Sequence, residues 1–253
     1  MNGFTPAELD QFARDGFVIA RRLVPKATCD AMKARARQDL VAEVAPLEYE
    51  AQVRYPGAPA SIDAPGGRTV RRLMQVYARD NLYRDGATAP AVTSRLHQLL
   101  GPGVELSQTH HNCVMTKNPA FSSATGWHQD IRYWSFEKPE LVSIWLALGP
   151  EHEENGCLWL VPGSHRMEFG REQYDEDRFF RADLAENQKI LQAKIAAELD
   201  EGDTLFFHCR LLHAAGRNRT TLTKFAAVFT YHAVDNRPLA GTRSASLPDI
   251  SLA

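Results

Sequence analysis

From Val104 onward, the sequence is a series of short apolar segments that Gly, Pro, Asn and Asp residues separate. Turn signals stand, for example, at Asn155-Gly156, Pro162-Gly163 and Gly202-Asp203. Many short strands with regular turns are typical of a β-sandwich or a β-barrel. The charged stretch 168–189 interrupts them and is predicted to be a helical or irregular insertion. We predict strands over residues 104–117, 126–134, 141–148, 157–161, 194–199, 204–209 and 224–233.

The first hundred residues are predicted to form a helical scaffold. Thr5, Pro6 and Glu8 fit a capping box with proline at the first helical position, and Gly16 is predicted to end that helix. A short buried strand is predicted to follow over residues 17–20. Further helices are predicted from about residue 25 to 41 and from about 89 to 100.

Length and composition are those of a globular protein. The 253 residues are 44% hydrophobic and 24% charged, which excludes global disorder and allows a sizeable core. Together with the helix and strand patterns above, this composition leads us to expect a mainly β protein with N-terminal helices and a jelly-roll core. A single domain is expected over residues 1–253, with the helical scaffold over about 1–103 and the jelly roll over about 104–235.

Charge and hydropathy disfavour several kinds of partner. The formal net charge is −2, so no basic excess drives sequence-independent binding to nucleic acid. No run of about 18 apolar residues predicts a membrane span, and the N-terminus lacks the pattern of a signal peptide. The four cysteines form no Cys-x-x-Cys pair, which favours reduced thiols in a cytoplasmic protein over a disulfide framework. The oligomeric state stays open.

A turn-rich segment over residues 50–70 stands apart from the helices around it. It contains Tyr55-Pro56-Gly57 and Ala64-Pro65-Gly66-Gly67 and lacks helical or strand periodicity. Long loops inside compact domains are often lids, so we predict either a lid or a plain surface loop here.

Metal-binding chemistry is suggested by His128-Gln129-Asp130. On a strand, residues i and i+2 point to the same side, so His128 and Asp130 would present an imidazole and a carboxylate together. These are two of the three ligands of a 2-His-1-carboxylate triad, the arrangement that non-haem Fe(II) enzymes use. A lone His-x-Asp is a weak signal, and a third ligand is needed. His208 and His213 are both candidates, and periodicity does not choose between them.

Several ordered motifs together resemble a known family. They are Asp15–Ile19, His128-Gln129-Asp130, Asn155–Leu158, Pro162–His165, Gly202-Asp203 and His213–Asn218. This set resembles the phytanoyl-CoA dioxygenase family of Fe(II)/2-oxoglutarate oxygenases, over roughly Phe4 to Tyr231. The resemblance implies a double-stranded β-helix, or cupin-like jelly roll, as the core. It also implies that His213, rather than His208, completes an iron site with His128 and Asp130.

The resemblance also implies a pocket for 2-oxoglutarate. Eleven residues after the distal histidine, where the family usually has Arg, this sequence has Lys224, which would bind the far carboxylate without the bidentate fork of a guanidinium. Arg217 and Arg219 are rival cations, with a solvated loop as the alternative. The implied pocket walls are Trp145, Cys113 and Met115, each with ordinary core packing as the alternative reading.

Candidate substrate residues lie on either side of these motifs. Tyr133 and Trp134 follow Asp130 closely and could shape the mouth of a substrate site or simply pack. Arg71 could bind an anionic group of a substrate, or it could be a surface arginine. His110 and His111 would point to opposite faces of a strand, so at most one is predicted to face the site.

The function that this resemblance implies is hydroxylation of a small organic substrate. Fe(II), 2-oxoglutarate and O₂ are the implied cofactor and co-substrates, with succinate and CO₂ as products. The presence of Asp130 favours hydroxylation over halogenation, because halogenating relatives have a small residue there. A non-catalytic metal-binding jelly roll, such as a sensor or binding module, is the alternative, since the same triad can hold Zn(II) or Ni(II). A metal-dependent hydrolase ranks last.

Overall fold

A computed structural model describes residues 3–53 and 55–252. The α-helices in these residues are Pro6–Asp15 (α1), Lys26–Val41 (α2), Val76–Arg79 (α3), Asn81–Ala87 (α4), Pro90–Leu100 (α5) and Ala185–Leu191 (α6). The strands in the same part of the chain are Phe17–Ala20 (β1), Leu47–Tyr49 (β2), Val70–Met74 (β3), Val104–Leu106 (β4), Asn112–Lys117 (β5), Thr125–His128 (β6), Leu141–Ala147 (β7), Leu158–Leu160 (β8), Ile195–Ala197 (β9), Thr204–His208 (β10), His213–Ala215 (β11), Lys224–Ala233 (β12) and Ile250–Leu252 (β13).

Two antiparallel sheets form the jelly roll. The larger sheet has the order β1-β10-β7-β12-β5-β3-β2, and β4 joins it through β12 and carries β13 at its outer side. The smaller sheet has the order β6-β11-β8-β9. The prediction of a mainly β protein with N-terminal helices and a jelly-roll core is confirmed.

Alternation along β7 shows how the sheet separates two apolar layers. Every residue of β7 is buried, as expected for a central strand that is covered on both faces. Ile144 and Leu146 pack into the layer that contains the helices, whereas Trp145 and Ala147 pack into the layer between the two sheets. Period-two alternation therefore directs Trp145 toward the interior of the jelly roll.

The N-terminal scaffold matches the sequence patterns closely. Thr5 caps α1 in a complete capping box with Glu8, and Gly16 ends the helix at φ 81°. The helices α2 and α5 lie within one residue of their predicted bounds. None of the helices within the described ranges has both the length and the apolar character that crossing a bilayer requires. All four cysteines are buried and free.

Two long predicted strands are wrong, one in its middle and one at its C-terminal end. The segment 104–117 is two strands, β4 and β5, because residues 107–111 leave the sheet. The segment 126–134 is a strand only to His128, and Asp130–Tyr133 is a 3₁₀ helix. The backbone turns there because Ile131 N–H donates to the carbonyl of Cys209 instead of continuing the β6 ladder (3.1 Å). His128 and Asp130 therefore do not share one strand.

Strands also form where the sequence pattern was weak. The strands β2 and β3 pair with each other, and β3 joins β5, although we predicted neither. Arg71 and Arg72 break the apolar pattern of β3, so its periodicity was hidden. Between the two strands, residues 55–69 contain neither a helix nor a strand. Tyr55 of this segment lines a cavity that also contains His128 and His213.

Candidate metal centre and active-site pocket

Two neighbouring strands of the smaller sheet place the histidines of the metal centre. His128 ends β6 and His213 begins β11, and the two residues are directly paired in register. Their ring centroids lie 4.2 Å apart. Asp130 begins the 3₁₀ helix after β6, and its Oδ1 lies 3.6 Å from the Nε2 atom of each histidine. His208, at the end of β10, accepts a hydrogen bond from Arg210 N–H instead (3.1 Å).

Backbone carbonyls set the tautomers of both histidines. Nδ1–H of His128 donates to the carbonyl of Gly126 (2.8 Å), and Nδ1–H of His213 donates to the carbonyl of Leu211 (2.9 Å). A carbonyl only accepts, so Nδ1 carries the proton and each Nε2 presents a lone pair. Burial lowers the pKa of both imidazoles, to about 3 for His128, which favours the neutral form that binds metals.

The Asp130 carboxylate completes a donor set that suits a divalent cation. Oδ1 faces both imidazoles, and the buried Oδ2 has no hydrogen-bond partner among the described residues. The three donor atoms lie within 4.8 Å of one another. Burial tends to raise the pKa of Asp130, but His111 and His213 hold it well below its usual value. A buried N₂O set with an unsatisfied oxygen fits Fe(II) and related metals.

His111 contacts the carboxylate of the triad. Its Nε2 lies 3.2 Å from Asp130 Oδ1, and although burial opposes it, Asp130 raises the pKa of His111 to about 9. His110 also lines the cavity and contacts Ser244 Oγ through Nε2 (2.9 Å). The expectation that at most one of the two faces the site is wrong, because they lie in the turn before β5 and not on a strand.

A single cavity of about 420 Å³ contains the triad. This volume lies in the range of small-molecule sites. The predicted site residues outside the triad all line it: Arg71, Cys113, Met115, Tyr133, Trp134, Trp145 and Lys224.

The cation predicted for the far end of the co-substrate is already paired. Lys224 Nζ donates to Glu151 Oε2 at 2.6 Å, and both side chains are almost fully buried. Trp145 Nε1–H donates to the other carboxylate oxygen (2.8 Å), and Lys224 Nζ lies 5.0 Å from the Trp145 ring centroid. Nothing in the sequence around Glu151 marked it as a site residue.

A second buried lysine lies beside this pair. Lys117 is directly opposite Lys224 in the β5–β12 register, so both side chains leave the same face of the sheet. Lys117 Nζ donates to the carbonyls of Ser123 (3.1 Å) and Gly216. Burial, and then the charge of Lys224, lower the pKa of Lys117 to about 7. Lys117 follows Cys113 and Met115 at period two on β5, and this alternation could have predicted that all three face the same pocket.

Arg71 is buried at the wall of the cavity and is not a surface arginine. Its guanidinium donates to Ser123 Oγ (2.9 Å) and Thr125 Oγ1 (3.0 Å), and it lies 3.8 Å from Glu50. Arg72 also lines the cavity and lies 3.4 Å from Glu48. In contrast, the rival cations Arg217 and Arg219 line a separate surface depression and not the triad cavity.

Aromatic side chains surround the outer part of the cavity. Trp134 stacks on His110 with ring centroids 4.7 Å apart and an interplanar angle of 27°. Tyr133 is half-exposed, and its hydroxyl donates to the carbonyl of Asp177 in the 168–189 insertion (2.8 Å). The insertion therefore contacts the cavity rim.

Comparisons with known proteins agree with this architecture. The chain is 26% identical over 220 residues to the peroxisomal phytanoyl-CoA dioxygenase of Homo sapiens, with 83% of this chain and 62% of that protein covered. It is 27% identical over 251 residues to the ectoine dioxygenase of Halomonas elongata, with 91% of this chain and 70% of that protein covered. The chain thus spans less than two thirds of the human relative's length.

Solved structures share the fold at low identity. EctD from S. alaskensis, crystallised with 2-oxoglutarate and 5-hydroxyectoine, superposes with a TM-score of 0.77 at 19% identity, with 93% of this chain and 78% of that chain covered. The family model of phytanoyl-CoA dioxygenase matches residues 12–226, a range that contains the triad, Glu151 and both buried lysines. The chain therefore belongs to the phytanoyl-CoA dioxygenase family.

Proposed function

We propose that the chain is an Fe(II)/2-oxoglutarate-dependent dioxygenase that hydroxylates a small organic substrate, with succinate and CO₂ as co-products. The convergence of His128, Asp130 and His213 inside the 420 Å³ cavity carries the proposal. When bound, Fe(II) supplies the redox chemistry that couples decarboxylation of a 2-oxo acid by O₂ to oxidation of a C–H bond.

The protein's part in this chemistry is to hold the metal with three ligands and to shield the site. Both Nε2 lone pairs and the Asp130 carboxylate face one point, which leaves other coordination positions to small molecules. The buried position of all three side chains limits access of water to the metal. The retained carboxylate of Asp130 favours hydroxylation over halogenation.

The charges of the inner cavity suit one additional carboxylate. Glu151 neutralises Lys224, and Arg71 and Arg72 face Glu48 and Glu50. Lys117 donates only to carbonyls among its described hydrogen bonds, so this group has an excess of one positive charge when Lys117, whose pKa burial lowers to about 7, is protonated. The far carboxylate of 2-oxoglutarate would supply the missing negative charge, with Lys117 and Lys224 as its two cations.

The outer cavity suits a small substrate that carries a negative group. Arg132 and Arg243 line this part of the cavity. Neither arginine forms a salt bridge with a carboxylate of the described residues. Trp134 and Tyr133 offer apolar surface beside them. We infer a carboxylated metabolite of small size as the substrate class.

The test is an anaerobic titration of metal-free protein with Fe(II) and then 2-oxoglutarate, followed by visible spectroscopy. A weak charge-transfer band is expected, because a chelating 2-oxo acid alters the electronic spectrum of Fe(II). Succinate release on addition of O₂ and candidate carboxylates then identifies a substrate. Tightly bound metal without the band would support the binding-module alternative.

A matched pair of variants tests the triad itself. Asp130→Ala should abolish succinate release, whereas Asp235→Ala, which removes an exposed carboxylate outside the cavity lining, should leave it unchanged. Full turnover in the Asp130→Ala protein would disprove the assignment of the triad.

A further inference from the structure

A second cluster of metal-ligand side chains lies at the outer side of the larger sheet. It comprises Glu105 on β4, His232 on β12 and Asp249 directly before β13. Glu105 is paired with His232 across β4–β12, and the residues after Asp249 pair with β4 on its other side. The three donor atoms lie within 4.8 Å of one another. None of the three residues is among the described lining of the triad cavity.

Nε2 of His232 faces Asp249 inside this cluster. Nδ1 lies 2.9 Å from the carbonyl of Ala233, which only accepts, so Nδ1 carries a proton. Nε2 lies 3.2 Å from Asp249 Oδ2, and although burial opposes it, Asp249 raises the pKa of His232, so without a metal this position suits a proton that a metal would displace. His232 is fully buried, and the Oδ1 atom of the largely buried Asp249 lacks a hydrogen-bond partner in the described part of the chain.

The charge of the cluster suits a divalent cation. A proton on Nε2 compensates one carboxylate, whereas Glu105 and Asp249 together bring two negative charges. Across residues 3–53 and 55–252, no lysine or arginine nitrogen forms a salt bridge with either carboxylate. One imidazole and two carboxylates are a donor set that zinc accepts, with water as a fourth ligand.

One donor separation is close to that of a tetrahedral site. Zinc–ligand distances of 2.0–2.2 Å place neighbouring donors about 3.3–3.6 Å apart. The His232–Asp249 pair lies at 3.2 Å, and all three donor atoms lie within 4.8 Å of one another. We propose that Glu105, His232 and Asp249 form a second, structural metal site for a divalent transition metal such as zinc.

The site would fasten the C-terminal segment to the sheet. Residues 243–247 precede Asp249, and Arg243, Ser246 and Leu247 line the outer part of the triad cavity. Ser244 Oγ contacts His110 and accepts a hydrogen bond from Ser135 N–H (2.8 Å). A metal between β12, β4 and the residue before β13 would therefore hold the segment that forms one wall of the cavity.

The test counts zinc ions in the 253-residue chain after removal of the triad. We expect two zinc equivalents in the wild type, one in the His128→Ala/Asp130→Ala protein, and none when His232→Gln is added. His97→Gln on α5 is the matched histidine control and should retain the equivalent. Cobalt(II) in the triad-deficient protein should give the visible spectrum of a tetrahedral site with oxygen and nitrogen ligands.

A second variant protects the test from misfolding. Asp249→Asn changes a ligand near the chain end and should weaken zinc binding at least tenfold in the triad-deficient protein, while circular dichroism stays unchanged. The proposal is wrong if the triad-deficient protein binds no zinc, or if either ligand variant binds it equally well. It is also wrong if nitrogen-15 NMR shows that His232 is doubly protonated in zinc-saturated protein. None of these outcomes depends on oxygenase activity.

Discussion

At the scale of single residues, the inner cavity brings together two buried lysines and the buried carboxylate of Glu151. Glu151 contacts Lys224 directly, and Lys117 lies across the strand pair with backbone carbonyls as its hydrogen-bond acceptors. Carbonyls orient an ammonium group but do not neutralise it. Two substitutions therefore distinguish which lysine would bind the carboxylate of the proposed co-substrate.

Lys117→Met should raise the KM for 2-oxoglutarate by about tenfold or more, because an unneutralised buried cation is removed from the carboxylate site. A tenfold change corresponds to about 1.4 kcal/mol. The measurement is succinate release against 2-oxoglutarate concentration. Lys138→Met is the control, since that lysine is half-exposed and outside the cavity lining. An unchanged KM would assign the carboxylate to Lys224 alone.

Glu151→Gln should destabilise the protein by about 3 kcal/mol, because it leaves Lys224 buried without its counter-charge. Added 2-oxoglutarate should restore part of this loss by supplying a carboxylate. Thermal melts with and without 2-oxoglutarate are the measurement, and the ligand-induced rise in Tm should be larger in the variant than in the wild type. A smaller rise would show that the ligand carboxylate does not approach Lys224.

At the scale of elements, the junction between α1 and β1 depends on one glycine. Gly16 has φ 81°, and a Cβ there would lie 2.4 Å from Nδ1 of His165, whose ring centroid lies 5.4 Å from that of His208. The same turn lets β1 pair with β10, which leads toward the strand that begins with His213. The conformation of this turn thus influences how the helical scaffold joins the jelly roll.

Gly16→Ala should lower the free energy of unfolding by about 1–3 kcal/mol, because it adds a left-handed backbone penalty to a steric clash. Chemical denaturation is the measurement. Gly149→Ala is the control without either effect, since a Cβ there meets nothing within 4 Å. Gly101 has φ 97° but open space around an added Cβ, so Gly101→Ala should lower the free energy of unfolding by an intermediate amount. Equal stability of all three variants would contradict this account of the turn.

At the scale of the whole molecule, the helical scaffold and the jelly roll share one apolar layer. Phe206 of β10 is fully buried and meets Phe4 edge to face, with ring centroids 5.0 Å apart. Residues of α2 and α5, such as Met32 and Leu96, pack into the same layer. The described helices of the scaffold therefore bury their apolar residues against this sheet, and the single domain expected from the sequence stays a prediction.

Phe206→Ala should destabilise the protein by about 3–5 kcal/mol, the usual cost of deleting a fully buried aromatic ring. Unfolding should remain one transition when near- and far-ultraviolet circular dichroism are followed together, because the scaffold and the jelly roll both pack into the layer that contains Phe206. Phe206 does not line the triad cavity, so the folded variant should keep its affinity for 2-oxoglutarate. Two separated transitions would instead show two independent folding units.

Local sequence determined much of the architecture. Capping residues and the glycine stop set the bounds of α1, and period-two apolar patterns between turns located β7, β10 and β12. These signals act over a few residues, so they are readable without the fold. The His-x-Asp motif also came from local sequence, but the choice of His213 over His208 came from family resemblance, since periodicity allowed both.

Tertiary structure alone decided how the site is assembled. Pairing of β6 with β11 brings His213 beside His128, and pairing of β5 with β12 places Lys117 opposite Lys224. Glu151 reaches Lys224 across 73 residues of sequence. The strand predicted through Asp130 ends early because a hydrogen bond to Cys209 captures the backbone. Such contacts depend on the register of strands that are distant in sequence, and local patterns do not encode that register.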